Sequence, residues 1–203
     1  GLDDTTRDFI ANLLGSASVK VSHSRMGFIQ SSAEKADQKP AALPPFIFDA
    51  DGLKLLAKLP DWPRLLPAQA ILTPHPGEMS ALTGLAVEEI QKDRLAIARK
   101  YAVMWGHVVV LKGAFTVIAA PDGRTTTIPV ATPALAHAGT GDVLAGLVTG
   151  LRAQGLEPYD AARLGAWLHA QAGLAAAQVQ GSTMSVLAGD VLDAVTDVLA
   201  DLK

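Results

Sequence analysis

The chain's 203 residues suffice for one domain with a sizeable core and are few for two. Hydrophobic residues make up 49% and aromatics only 5%, which suits a core of Ala, Val and Leu between helices and a sheet; the net charge of −3, without a basic block, argues against nucleic acid as a partner. The absence of Cys excludes disulfides and Cys-based metal sites and fits a reducing cytoplasm, and the sequence holds neither a signal peptide nor a run near the roughly 18–20 apolar residues of a membrane span.

Residues 3–14 read as a helix with acids in its first turn and Gly15 at its end. The stretch 16–45 differs: it is Ser-, Lys- and Gln-containing, closes on Pro40, Pro44 and Pro45, and from Ser31 to Lys39 is polar without periodicity, as in an exposed insertion. A buried strand is predicted over 45–50 and a short helix over 51–59. A second strand covers 70–74, followed by helical patterns over 78–83 and 87–101. His107-Val-Val-Val-Leu-Lys112 is the clearest buried strand. The segments 115–120 and 125–130 flank Pro121-Asp-Gly-Arg, a turn sequence, and should pair as a hairpin. Helices are expected near 142–154, 158–179 and 187–202. This alternation predicts an α/β fold whose mainly parallel sheet carries helices on both faces.

The chemistry-bearing residues cluster at three strand exits, where open parallel sheets bind ligands. The first exit carries His75 and Glu78 between Pro74, Pro76 and Gly77. His75 could bond a substrate hydroxyl or carboxamide, and Glu78 could hold Mg²⁺ through water or serve only as a first-turn acid. At the second, Lys112-Gly113-Ala114-Phe115-Thr116, the lysine could reach a phosphate or ribose, or simply snorkel to water. The third, Ala138-Gly139-Thr140-Gly141-Asp142, joins two flexible glycines to a carboxylate at a helix start. Free N–H groups and the helix dipole would hold a phosphate oxygen there. Asp142 could act on that phosphate's chemistry or merely cap the helix. Asp49 and Asp51 close a strand, where they could cap the next helix or order the site. His23, His107, His137 and His169 are isolated and read as structural or exposed.

Four segments in order, Phe48-Asp-Ala-Asp-Gly-Leu53, Leu72-Thr-Pro-His-Pro-Gly-Glu-Met79, Val110-Leu-Lys-Gly-Ala114 and Ala138-Gly-Thr-Gly-Asp-Val-Leu-Ala-Gly146, resemble the ADP-dependent NAD(P)H-hydrate dehydratases. The likeness runs from about Phe46 to the C-terminus and implies a ribokinase-like fold. It implies metabolite repair: ADP phosphorylates the hydroxyl of the hydrated nicotinamide of NADHX or NADPHX, phosphate leaves, and NAD(P)H is regenerated. On that resemblance Asp142 is the general base and, with His75, a substrate contact. Lys112, Gly113, Ala114, Phe115 and Thr116, with Gly139, Thr140 and Gly141, would bind the nucleotide, and Glu78 would lie near Mg²⁺. The resemblance further implies a cytoplasmic homo-oligomer, fused to or paired with an NAD(P)H-hydrate epimerase.

Two departures and two rivals accompany this reading. The family's domain carries further strands before the point where this chain starts, so 1–203 is expected to be a single, N-terminally incomplete domain with an insertion at 16–45. One rival is another ribokinase-fold kinase of the hydroxyethylthiazole kinase type, which tends to carry Cys in place of Asp142. The other is a catalytically silent nucleotide-binding fragment.

Overall fold

The computed structural model describes residues 4–15 and 44–202, so nearly all of the expected insertion at 16–45 lies outside the described residues. Runs of β-branched and apolar residues form the strands. Ile47–Phe48 (β1), Ile71–Leu72 (β2) and Val108–Leu111 (β3) pair in parallel, with Ile47 opposite Ile71 and Ile71 opposite Val108. Val117–Ala119 (β4) and Thr125–Thr127 (β5) add antiparallel, giving the order β1-β2-β3-β4-β5. The sheet is therefore parallel at one side and closed by the expected hairpin at the other.

Alternation along the strands splits the core in two. Leu72, Val109, Leu111, Val117 and Ala119 pack with Leu53 and Leu56 of Asp51–Leu56 (α2), Met79 of Pro76–Thr83 (α3), Ile90 of Val87–Lys92 (α4) and Ala98 and Ala102 of Arg94–Trp105 (α5). Leu14 of Asp4–Gly15 (α1) joins the same cluster. Ile71, Val108, Val110, Ile118 and Ala120 face the opposite way, onto Leu144 and Val148 of Thr140–Ala153 (α6) and Ala162, Ala166 and Ala170 of Pro158–Gln180 (α7). Ala188–Ala200 (α8) stacks outside that layer through Val191, Ala194 and Val195. Helices on both faces of a five-stranded sheet make an α/β fold.

The single helix expected over 87–101 is instead two. Asp93 leaves helical geometry at φ −146° and its carboxylate accepts from the Ala96 N–H, which starts α5 afresh. The small residues of α7 allow α6 to approach closely. A Cβ at Gly165 would stand 2.7 Å from Val148 Cγ2 and 3.3 Å from the Val148 backbone nitrogen. Gly165→Ala should therefore push the two helices apart and destabilise the fold by about 1–3 kcal/mol, read as a lower urea midpoint at unchanged slope.

Candidate functional site

The carboxyl ends of β1, β2 and β3 bring one cation between two anions. Asp49, just past β1, and Lys112, just past β3, are 63 positions apart in sequence, yet the lysine Nζ donates to Asp49 Oδ1 at 2.5 Å. Thr73, following β2, donates its hydroxyl to the same oxygen at 2.8 Å. Glu78 Oε2 lies 3.7 Å from the same Nζ. The turn that delivers Asp49 is tight: Ala50 holds φ 50°, ψ −126°, a region ordinarily left to glycine.

His75 and Glu78 form a reciprocal cap at the start of α3. His75 Nδ1 accepts from the N–H groups of Gly77 and Glu78, while Glu78 Oε2 accepts from the His75 N–H at 2.8 Å. Because Nδ1 accepts, a neutral His75 carries its hydrogen on Nε2, which lies 3.3 Å from Glu78 Oε1. The ring stays half exposed whereas the glutamate is buried.

The loop after β3 is held from behind. Arg94 Nη2 donates to the carbonyls of Leu111 (2.8 Å) and Lys112 (3.2 Å). Gly113 sits at φ 142°, a backbone conformation that strains any residue with a side chain, and a Cβ there would press on that guanidinium at 3.1 Å. Thr116 turns its hydroxyl back onto the Gly113 carbonyl at 3.0 Å. Phe115 follows on the same loop. It adopts φ 55°, donates its N–H to the Val130 carbonyl and leaves its ring 53% exposed, outside the residues that line the cavity described next.

A cavity of about 680 Å³ opens between these exits and the start of α6. His75, Lys112, Gly113, Ala114, Thr116, Thr140 and Gly141 line it, together with the apolar Ile128, Val130, Leu135, Leu144, Ala166 and Ala170. Gly139 takes φ 87° at the N-cap, and α6 begins at Thr140 rather than near 142. Gly141 fixes the lysine's place: a Cβ there would come 3.4 Å from Lys112 Nζ and 3.8 Å from Asp49 Oδ2. An ammonium and the amides of a helix start thus adjoin one another, an arrangement suited to a phosphate.

Asp142 occupies the third helical position, the one from which Glu78 reaches back to its N-cap N–H in α3; at the start of α6 no such cap bond is made. It is exposed, and among the described residues its carboxylate makes neither hydrogen bond nor ion pair. It borders a second cavity of about 630 Å³, mainly apolar, between α6, α7 and α8, while its neighbours Thr140 and Gly141 border the first. Asp142 thus lines the second cavity and not the first.

Sequence reading missed two contributors to the first cavity. One is the connection from 128 to 137, part of which reads as strand. Thr132 instead caps a short 3₁₀ turn, Pro133–Leu135, by accepting from the Ala134 N–H. The Thr-Pro pair is the signal for that turn. The other is His169, expected to be structural or exposed. It lines the cavity from α7 at 8% exposure, and its ring bonds the Thr140 backbone. His107 is structural: its Nε2 lies 2.8 Å from the Pro63 carbonyl.

Burial pushes the His169 pKa down from 6.5 to about 4, with the nearby Lys112 charge adding to the shift and the Thr140 bond opposing it. Burial lowers that of His107 too. Between about pH 6.5 and 4 the unfolded chain therefore binds protons that the folded chain refuses. Stability should be full above that window and fall as pH drops through it, by about 3 kcal/mol for His169 alone. Urea midpoints across the window check this, and His169→Gln should flatten the slope.

For magnesium the donor set is poor. Among the described residues no group of three His, Asp or Glu could hold an ion. Glu78 Oε2 is committed to His75 and Asp49 Oδ1 to Lys112 and Thr73. These carboxylates do not fit a directly ligated ion.

Comparison with known proteins gives a consistent picture. The family described as NAD(P)H-hydrate dehydratase matches residues 26–196. A bifunctional NAD(P)H-hydrate repair enzyme of Moorella thermoacetica is 47% identical over 167 residues, covering 81% of this chain and 31% of that protein. An ADP-dependent (S)-NAD(P)H-hydrate dehydratase of Neisseria meningitidis is 39% identical over 152 residues, 74% of this chain and 51% of its own length. The chain thus spans between about a third and a half of these relatives. Among solved structures, the ADP/ATP-dependent NAD(P)H-hydrate dehydratase of Bacillus subtilis, co-crystallized with ATP/Mg²⁺, superposes with TM-score 0.68 at 36% identity, over 78% of this chain and 55% of that one. A ribokinase-like superfamily protein of Enterococcus faecalis, 21% identical, matches at TM-score 0.70 over 99% of this chain and 60% of its own, a likeness of fold.

Proposed function

We propose, from the premise that this chain belongs to the NAD(P)H-hydrate dehydratase family, that it carries the site for ADP-dependent dehydration of NADHX and NADPHX. The observation that carries the reading is the uncommitted carboxylate of Asp142, one residue from Gly141 and thereby from Lys112 Nζ. A carboxylate that merely capped its helix would be tied to backbone N–H groups; this one is free to take a proton.

In the proposed sequence, the nucleotide occupies the first cavity with its diphosphate toward Lys112 and the N-terminal amides of α6. The hydrated nicotinamide approaches from the Asp142 side, with His75 contacting the dinucleotide. Asp142 takes the proton of the ring hydroxyl, and the resulting oxygen attacks the β-phosphorus of ADP. The bond to the bridging oxygen breaks and AMP leaves. The amides and Lys112 stabilise charge on the transferring group. The new C–O–P ester then loses phosphate with its bonding electrons, the departing phosphate takes the proton of a neighbouring ring C–H, and the electrons of that C–H bond restore the double bond. Asp142 must swing from the second cavity toward the first. An exposed aspartate without partners changes staggered rotamer at little cost.

Mg²⁺ would enter this reading bound to the nucleotide's phosphates, where it would offset their charge, and Glu78 would act on it only through water. The steps above do not run through it. Fusion to or pairing with an epimerase is proposed on the strength of the bifunctional relatives, and self-association on the family resemblance alone. No described helix is long and apolar enough to cross a membrane.

Incubation with NADH-hydrate and ADP tests the reading by recovery of the reduced-nicotinamide absorbance. Phosphorylation of a thiazole alcohol without recovery would favour the kinase rival. ADP binding without any turnover would favour the silent fragment.

A further inference from the structure

Among the described residues, the ionisable side chains on the wall of the first cavity are Lys112 and three histidines, His75, His137 and His169, and no carboxylate lines it. A cavity of that makeup suits an anion and gains positive charge as an imidazole takes a proton. The three rings are not equivalent. His75 Nδ1 accepts from two backbone N–H groups, and its Nε2 lies 3.3 Å from Glu78 Oε1. His169 is buried, and burial keeps it neutral. His137 differs from both. Its Nδ1 lies 3.3 Å from the Ala134 carbonyl oxygen, which can only accept, so Nδ1 carries the hydrogen. A second proton, on Nε2, keeps that bond and strengthens it. The ring is half-buried, and its Nε2 is not sealed from solvent and has no partner among the described residues.

The chain ties this ring to the start of α6. The His137 carbonyl accepts from the Thr140 hydroxyl at 2.9 Å and from the Thr140 N–H at 3.3 Å, and Gly139, the N-cap, is two positions on. His137 therefore belongs to the loop that leads into the amides where the diphosphate is proposed to lie. None of the surrounding acids pairs with it. Asp49 and Glu78 adjoin Lys112, and Asp142 lines the second cavity. The start of α8 packs on Gly139 through Ala188, and its acid, Asp190, is held by the Leu187 N–H and the Gln180 amide.

We propose that His137 is a binding residue for the diphosphate of the nucleotide: the protonated ring, anchored on Ala134 through Nδ1–H, donates Nε2–H to a phosphate oxygen. The inference rests on the dehydratase reading for the identity of the nucleotide. It goes beyond that reading in giving the site a second, pH-dependent cation beside Lys112, on a ring that the proposed chemistry does not use.

Calorimetric titration of the full chain with ADP and with pyrophosphate, at about pH 6 and about pH 8.5, tests it on wild type, His137→Ala and His137→Gln. Affinity ratios between variants at one pH cancel the titration of the ligands and of the other cavity groups. At the lower pH His137→Ala should bind both probes roughly 10- to 100-fold more weakly than wild type. At the higher pH, where an imidazole is ordinarily neutral, the two proteins should nearly converge. His137→Gln, whose amide N–H donates at either pH, should fall between them at the lower pH and match or exceed wild type at the higher. A ratio of wild type to His137→Ala that stays near one, or that does not change with pH, overturns the proposal. So does a loss seen with ADP while pyrophosphate is unaffected or unbound, which would put the ring on the nucleoside. Should His137→Ala not fold, the change with pH in the ratio of wild type to His137→Gln decides the matter. The expected pyrophosphate ratios without ADP binding or NADH recovery would remove the dehydratase reading and keep the His137 assignment; NADH recovery with ratios indifferent to pH would do the reverse.

Discussion

Asp142→Asn lowers the rate of ADP-dependent NADH recovery by roughly 10²–10⁴-fold while ADP affinity stays near that of wild type. The amide is isosteric with the carboxylate, so the cavity keeps its shape, but it cannot take the hydroxyl proton. Stability should barely move, because the side chain is exposed and makes no bond that the substitution would break. The loss of a negative charge in the first turn of α6 costs only about 0.3–1 kcal/mol through the helix dipole. Single-turnover rates measured beside ADP calorimetry separate the two effects. A variant that still turns over at the wild-type rate would remove Asp142 from the chemistry.

Lys112→Met should be the most damaging substitution for both fold and binding. The ammonium lies between Asp49 and Glu78, and all three side chains are largely buried, at 17%, 13% and 3% exposure. Removing it leaves two largely buried carboxylates without the cation that both adjoin. Breaking a buried pair on one side typically costs 3–5 kcal/mol, and the residual exposure here puts the expected loss near the lower end, about 3 kcal/mol. ADP affinity should fall as well, since the phosphate loses its cation. Adding Asp49→Asn should recover part of the stability and none of the affinity. Urea unfolding and calorimetry on the single and double variants check this; equal recovery of both would mean that Lys112 serves the fold alone.

The parts of the fold legible in sequence are those with strong periodicity and local turn chemistry. Val108–Leu111 stands out because four apolar residues in a row suit a strand covered on both faces, and Pro121-Asp-Gly-Arg marks the hairpin. The strands expected over 45–50 and 70–74 shrink to Ile47–Phe48 and Ile71–Leu72, although the chain around them stays bonded: the Thr73 N–H donates to Phe48 and the Lys112 N–H to Pro74. Asp93 carries an N-cap signal that the apolar spacing around it masks, so one expected helix is two.

At the site, each motif's local geometry is readable where neighbours in sequence make it, as in the His75–Glu78 cap. The Asp49–Lys112 pair is not, because the parallel sheet alone joins residues so far apart. His169 is illegible for a related reason: its meaning depends on the register of α7 against α6, which small residues set and hydrophobic spacing does not encode.

The most direct measurement follows the phosphoryl group itself. ADP labelled at the β-phosphorus, mixed with protein and NADH-hydrate, should release labelled inorganic phosphate, AMP and NADH in equal amounts, with none of the three formed when the hydrate is omitted. Recovery of NADH without release of the label, or release of the label without NADH, would contradict transfer to the ring hydroxyl.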